Sequence, residues 1–385
     1  MAITTTTSSL SANDNNNNND KPVGSSIPII DFAALLSEDE DDDNLRPEQY
    51  AKVGGELYQA FKKVGFAYVK NHGVPQDMVD EAFEWSRRFF ALPQSEKDKV
   101  PHPPEGWYHR GYSGVGREKV SQNVFDAEGI ARERSVPDCK ESFEMGGEHE
   151  ERLRNIMPDE HVLPGFRAFF ARFFDACYRL ELRLLRAVAV GMGLGGDPDY
   201  FVDYHRARSN QIRLLHYPPV EEELLAQGKV DCIGAHTDFC TLTVLFQDEV
   251  GGLEVGTAAA CDGDAGDAGD AAAGGGGSNS SSRFTPAPFI PGTAVVNIGD
   301  FLMRWTNDEL KSTLHHVRTP PVDERDVEPG RPRMTRERYS IPYFVAADGH
   351  RTIDCVPGCW GPGRPKKYAP INAGEYMDMR LNATY

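Results

Sequence analysis

Beyond residue 200 the chain becomes a series of short, β-branched segments, each cut off by glycine, proline or acidic residues. They are "NQIRLLHYPP" (210–219), "TLTVLFQD" (241–248), "GGLEVG" (251–256), "TAVVNIGD" (293–300), "TLHHVRTP" (313–320) and "RYSIPYFVAA" (338–347). Segments of this length and content suit a pleated surface better than a helix. So many short strands in a row leave a two-sheet sandwich or a barrel as the natural solution. The helical signals come earlier, at about 46–63, at 75–93 and, longest and most periodic, at 164–190, where Pro164 opens the run. A helical layer backing one sheet is therefore expected. Two further strands are expected at 27–32, "IPIIDF", and within 65–74, "GFAYVKNHGV". The glycine pair Gly54–Gly55 weakens the first helix signal.

With 385 residues the chain is long enough for a sizeable core. A formal net charge of −18 argues against a nucleic-acid partner, because a phosphate backbone requires a positive footprint. Seven scattered cysteines form no disulfide framework and point to a reducing, cytoplasmic setting. No secretory signal and no membrane-spanning run is visible. Residues 1–25 read as a disordered tail, and "SEDEDDDN" (37–44) as a solvated acidic loop. The expected organisation is a helical and short-strand region (26–200), a strand-rich core (201–350) and a C-terminal segment and helix (351–385). The core carries a low-complexity insertion at 256–283, rich in Gly, Ala, Asp and Ser.

The chemistry concentrates in the strand region. "GAHTDFCTLTVL" (234–245) places His236 and Asp238 two residues apart, so on a strand both face one space. A carboxylate there is costly unless it is paired or bound to a metal. His315 or His316, in "KSTLHHV", supplies a third donor. Two histidines and a carboxylate suit non-haem Fe(II), leaving positions open for a cosubstrate and O₂, although zinc accepts the same donors. Further on, "RYS" puts Arg338 and Ser340 on one side of a strand, a guanidinium and a hydroxyl suited to clamp a carboxylate.

The order HxD, distal His, RxS resembles the 2-oxoglutarate- and Fe(II)-dependent oxygenases of the isopenicillin N synthase-like superfamily. The resemblance extends over "IPIIDF", "GFAYVKNHGV", "FFALPQSEK", "LLHYPP", "AHTDFCTLTVLFQDEVGGLEV", "VVNIGDFLMRWTNDELKSTLHHV" and "EYMDMRLNATY", roughly residues 27 to 381. It implies a double-stranded β-helix, or jelly roll, with an N-terminal mixed α/β region and supporting helices. It also implies His236, Asp238 and His315 as iron ligands, with His316 where the family usually has arginine. Tyr217, Arg338 and Ser340 become the expected contacts of 2-oxoglutarate. His216 and Leu215 depart from the family's common Tyr and Asn and stand where substrate type could be read. Asn297 and Asp300, in "NIGD", read first as turn residues.

The implied activity is oxidation of an unactivated C–H bond of a small natural-product intermediate, a hydroxylation, desaturation or ring closure, with release of succinate and CO₂. Fe(II), 2-oxoglutarate and O₂ are the expected cofactor and cosubstrates, and ascorbate a supporting reductant in vitro. A small molecule is the expected partner, with no nucleic acid and no membrane; the oligomeric state stays open. The alternatives are an oxidase of the same superfamily that uses no 2-oxoglutarate, a zinc hydrolase, and a non-catalytic jelly-roll binding module. The segment 107–123, Phe344, Met377 and Met379 are candidates to cover the pocket, and Arg110, Arg117 and Lys119 to meet an acid group. The asparagine-rich start and the insertion suggest a fungal chain.

Overall fold

The computed structural model describes residues 27–36, 47–117, 138–227, 229–230, 232–257, 284–318, 320–322 and 331–382. The tail 1–25, the acidic run 37–44, Lys119 and residues 258–283 of the insertion lie outside the described residues. The strands that matter are β1 (Ile29–Asp31), β2 (Phe66–Lys70), β3 (Gly111–Ser113), β4 (Glu141–Gly146), β5 (Gln211–Tyr217) and β6 (Leu242–Gln247). They continue with β7 (Leu253–Gly256), β8 (Phe284–Pro286), β9 (Thr293–Ile298), β10 (His315–Val317) and β11 (Arg338–Val345). Eight of them form one sheet in the order β1-β2-β9-β6-β11-β5-β4-β3, antiparallel except for β1 with β2. A second sheet runs β10-β7-β8, and among the described residues no closed barrel forms.

The large sheet has two distinct faces, set by the period-two alternation of strands. Ile212, Leu214, Leu242, Val244, Phe246, Val296, Ile341, Tyr343 and Val345 turn toward the helices. There the helix Phe166–Gly191 presents Phe169, Phe170, Phe173, Cys177, Leu180 and Leu184, all buried, at the spacing that builds one apolar face. The helix Pro47–Lys63 crosses it at a glycine contact: a Cβ on Gly54 would lie 2.5 Å from the Ala187 carbonyl oxygen. The glycine that weakens the helix signal is what lets the two helices touch.

The other face carries alternate residues of the same strands: Gln211, Arg213, Leu215 and Tyr217 on β5, and Arg338, Ser340, Pro342 and Phe344 on β11. The small sheet covers part of this side, packing Leu253 and Val255 against Phe66, Tyr68 and Val295. A cavity of about 140 Å³ remains, far more than the roughly 10–15 Å³ a single water needs.

Four strands of the large sheet precede residue 200, and two of these depart from the sequence expectation. The proline- and glycine-rich stretch 101–114 reads as a loop, yet it contains β3. β4 shows no strand signal because Glu141 and Glu144 give it a polar texture; both carboxylates are nonetheless inside and paired. The HxD stretch is a further correction. His236 forms only an isolated bridge with His315, Asp238 lies in irregular chain, and regular pairing begins at Leu242.

Candidate active site

His236 and His315 exchange two backbone hydrogen bonds, at 3.0 and 2.9 Å, which hold their rings on one side with centroids 4.4 Å apart. Each ring is then oriented by its own chain. His236 Nδ1 lies 2.8 Å from the Gly234 carbonyl oxygen and His315 Nδ1 lies 3.1 Å from that of Thr313. A carbonyl only accepts, so Nδ1 carries a proton in each ring and Nε2 is the atom left to meet a metal. Burial, with His315 beside it, pulls the His236 imidazole down to about 4.

Asp238 is prepared in a complementary way. Its Oδ2 accepts from Thr243 Oγ1 at 2.6 Å and from Asn297 Nδ2 at 2.7 Å, while Oδ1 lies 3.8 Å from His315 Nε2. Burial alone would raise this carboxyl. The facing His315 and His236, helped by the two hydrogen bonds, outweigh burial and hold it below the usual range. The His236 ring is thus held neutral beside an ionised carboxylate, protonation states that suit metal ligation. Their donor atoms lie within 4.8 Å of one another, and the donor set fits Fe(II) held on one face. The surrounding turn is tied down as well: Asp300 accepts from Thr237 Oγ1 at 2.9 Å and pairs with Arg380 at 2.7 Å.

Arg338 and Ser340 line the same cavity. The guanidinium is almost fully buried, donating from Nε to the Gly251 carbonyl at 2.6 Å and from Nη1 to Ser340 Oγ at 3.1 Å. It lies over the Tyr217 ring at 4.9 Å. The Tyr217 hydroxyl is buried and has no hydrogen-bond partner among the described residues, and burial keeps it protonated. A buried guanidinium, a hydroxyl and an orphaned phenol together fit one carboxylate group of a bound diacid.

His316 turns away from this centre: its Nε2 lies 2.9 Å from Glu254 Oε2 and its ring stacks on Phe284. His216 also faces away, held between Glu141 and Glu337 at 2.7 and 2.8 Å, so of the two departures in β5 only Leu215 reaches the cavity. Asn297 is a strand residue, not a turn residue, and Asp300 opens the short helix Asp300–Trp305. Phe344 and Met377 line the cavity, whereas Met379 is exposed. Arg110 spends its donors on the His109 and Leu153 carbonyls, and Arg117 donates to that of His102. Thr243 carried no sequence signal and Asn297 read first as a turn residue, since their role beside Asp238 depends on strands brought together only by folding.

A second group of similar composition, His102, His109 and Glu144, also has its donor atoms within 4.8 Å. Its carboxylate is committed elsewhere. Glu144 Oε1 is in an ion pair with Arg213, and Oε2 lies 3.3 Å from His109 Nδ1.

Comparison with known proteins agrees with this architecture. Residues 27–161 match the family described as non-haem dioxygenase in morphine synthesis N-terminal, and residues 208–347 match the 2OG-Fe(II) oxygenase superfamily. Proline hydroxylase buaE of Petromyces alliaceus is 37% identical over 86% of this chain and 92% of its own length. The chain belongs to the 2-oxoglutarate- and Fe(II)-dependent oxygenases. Among further relatives is the 2-oxoglutarate-dependent dioxygenase frbA of Dothideomycetidae sp., 34% identical over 94% of this chain and 97% of frbA. The crystal structure of full-length Neurospora crassa T7H in complex with alpha-KG and thymine superposes with a TM-score of 0.75. It is 35% identical, covering 95% of this chain and 99% of T7H. The protein is thus a non-haem Fe(II)- and 2-oxoglutarate-dependent oxygenase acting on a small molecule, and its relatives include a proline hydroxylase and 2-oxoglutarate-dependent dioxygenases. The match to the 2OG-Fe(II) oxygenase superfamily sets aside the zinc-hydrolase alternative. Among the described residues no helix is long and apolar enough to cross a membrane.

Proposed function

We propose that His236, Asp238 and His315 hold the iron and that Tyr217, Arg338 and Ser340 hold the far carboxylate of 2-oxoglutarate, within a double-stranded β-helix formed by the two sheets. The reaction is hydroxylation of an unactivated C–H bond in a small natural-product intermediate. The observation that carries this reading is the pairing in one cavity of three convergent metal donors with a buried guanidinium clamp. When bound, Fe(II), 2-oxoglutarate and O₂ supply the oxidising chemistry, with succinate and CO₂ as coproducts and ascorbate keeping the metal ferrous in vitro.

The protein's own contribution is placement and exclusion of water. Asp238 brings one negative charge to the metal, and Thr243 and Asn297 fix which oxygen it offers. The Gly234 and Thr313 carbonyls fix the imidazole tautomers. Arg338 neutralises the distal carboxylate where water is scarce, so the ion pair forms with little screening. Phe66, Leu215, Leu253 and Val317 wall the cavity with apolar side chains. Those walls keep bulk water from a reactive centre.

The other histidine–carboxylate group is a poorer home for iron. A dication there would share Glu144 with Arg213 and stand near the buried Arg110, and the group lies outside the 208–347 match. The test is succinate formation by apoprotein given Fe(II), ascorbate, 2-oxoglutarate and O₂. Succinate above blank, lost in His315→Ala, is the expected result. Equal succinate from wild type and His315→Ala would refute the assignment.

A further inference from the structure

The wall that carries the proposed cosubstrate clamp does not end at Tyr217. On the same face of β5, Arg213 stands four residues away, about 13 Å along the strand at ordinary rise. That is beyond the reach of a five-carbon diacid anchored at Tyr217 and Arg338, so Arg213 belongs to the part of the cavity left for the primary substrate. Its neighbours across the strand pair, Pro342 and Phe344, offer no side-chain hydrogen-bond donor. The Phe344 ring lies under the guanidinium at 5.9 Å. Met377 and Leu381, from the helix Ala373–Asn382, complete an apolar surround.

The guanidinium is held from behind. Glu144, directly opposite Arg213 in the β4–β5 register and fully buried, pairs with it, and His109, another cavity residue, contacts the second carboxylate oxygen. A buried ion pair of this kind is weak as a source of stability, because desolvating two charges offsets most of their attraction. It is effective as a support, since it fixes a planar donor fork in one orientation. The local charge balance adds direction. Two buried arginines, Arg110 and Arg213, stand near the buried Glu144, which lies behind the fork that faces the cavity.

We propose that Arg213, oriented by Glu144 and flanked by His109, is the specificity residue for the primary substrate, and that this substrate is a small carboxylic acid whose carboxylate it binds. The inference rests on the iron and cosubstrate assignment above. The substrate then spans the cavity with its acid group on Arg213 and its apolar body against Phe344, Pro342 and Met377. The C–H bond to be oxidised lies on the side nearer the histidines.

The test uses the Fe(II)·2-oxoglutarate holoprotein without O₂, where a metal-bound 2-oxo acid gives a visible charge-transfer absorption that substrate binding perturbs. L-proline, L-pipecolic acid, L-leucine and 3-phenylpropionic acid are titrated against their primary amides, with thymine as a neutral heterocycle. At least one acid should perturb the absorption about tenfold more tightly than its amide. Arg213→Gln alone leaves Glu144 as an uncompensated buried charge and risks unfolding. The double variant Arg213→Gln/Glu144→Gln removes both charges together, and Arg213→Lys keeps the cation without the fork. In the double variant the acid preference should collapse to about twofold or less while the charge-transfer absorption itself persists; Arg213→Lys should fall between. The proposal is overturned if amides or thymine bind as well as the acids, if the double variant keeps the preference, or if none of the acids perturbs the absorption. Absence of any charge-transfer absorption in wild type would instead refute the iron and cosubstrate reading.

Discussion

His236, Asp238 and His315 share their composition with His102, His109 and Glu144, yet the two carboxylates keep different company. Asp238 is supported by neutral donors, the Thr243 hydroxyl and the Asn297 amide, so its charge is left to be neutralised by something entering from the cavity. Glu144 is met by a guanidinium of its own chain. On the proposed assignment the first group receives a cation, whereas the second already contains one. Donor atoms at ligating distance thus do not define a metal centre; the charge balance behind the carboxylate does.

Substitutions can break this contrast. The largest effect is expected at Asp238→Ala, which should lower Fe(II) affinity beyond the roughly 10–100-fold that loss of a supporting partner costs, and abolish succinate formation. Titration of the apoprotein with Fe(II) measures it; an unchanged affinity would place the iron elsewhere. Glu144→Gln should do the reverse. It strands Arg213 and should cost about 3–5 kcal/mol of stability in urea unfolding while leaving Fe(II) affinity intact.

The pH dependence sharpens the same point. Burial would raise the Glu144 carboxyl, but Arg213 and then His109 hold it well below its ordinary 4.5. A depressed folded-state value means that the stabilisation is complete above the unfolded value and is lost as pH falls below it. The stability gap between wild type and Glu144→Gln should therefore be present above about pH 5 and narrow below that. A gap that widens as pH falls below about 5 would contradict the ion pair.

Smaller effects should follow at the supports. Asn297→Ala should weaken Fe(II) binding by about 10–100-fold without unfolding the protein, read by the same titration. Loss of stability with unchanged iron affinity would make Asn297 a packing residue only.

The sequence carried much of this because the relevant signals are local. HxD and RxS bring two side chains to one face by short spacing alone, and the family resemblance points to His315 rather than His316. The strand rule holds only loosely there, since His236 and Asp238 lie in irregular chain stitched by a single bridge to His315. What stayed hidden depends on distant pairing. β4 looks polar until Arg213, Lys97 and His216 are placed against its glutamates. Asn297 looks like part of a turn until β9 sets it opposite Thr243 on β6. Period two in β5 does predict that Leu215 and Tyr217 share a face while His216 takes the other. That rule, applied to the whole strand, also points to Arg213.

The most direct test of the central claim is the visible absorption of the anaerobic protein on adding Fe(II) and then 2-oxoglutarate, for wild type, Asp238→Ala and Glu144→Gln. A charge-transfer absorption in wild type and Glu144→Gln, absent in Asp238→Ala, is the predicted result. The absorption persisting in Asp238→Ala and vanishing in folded Glu144→Gln would contradict it and move the metal to the other group.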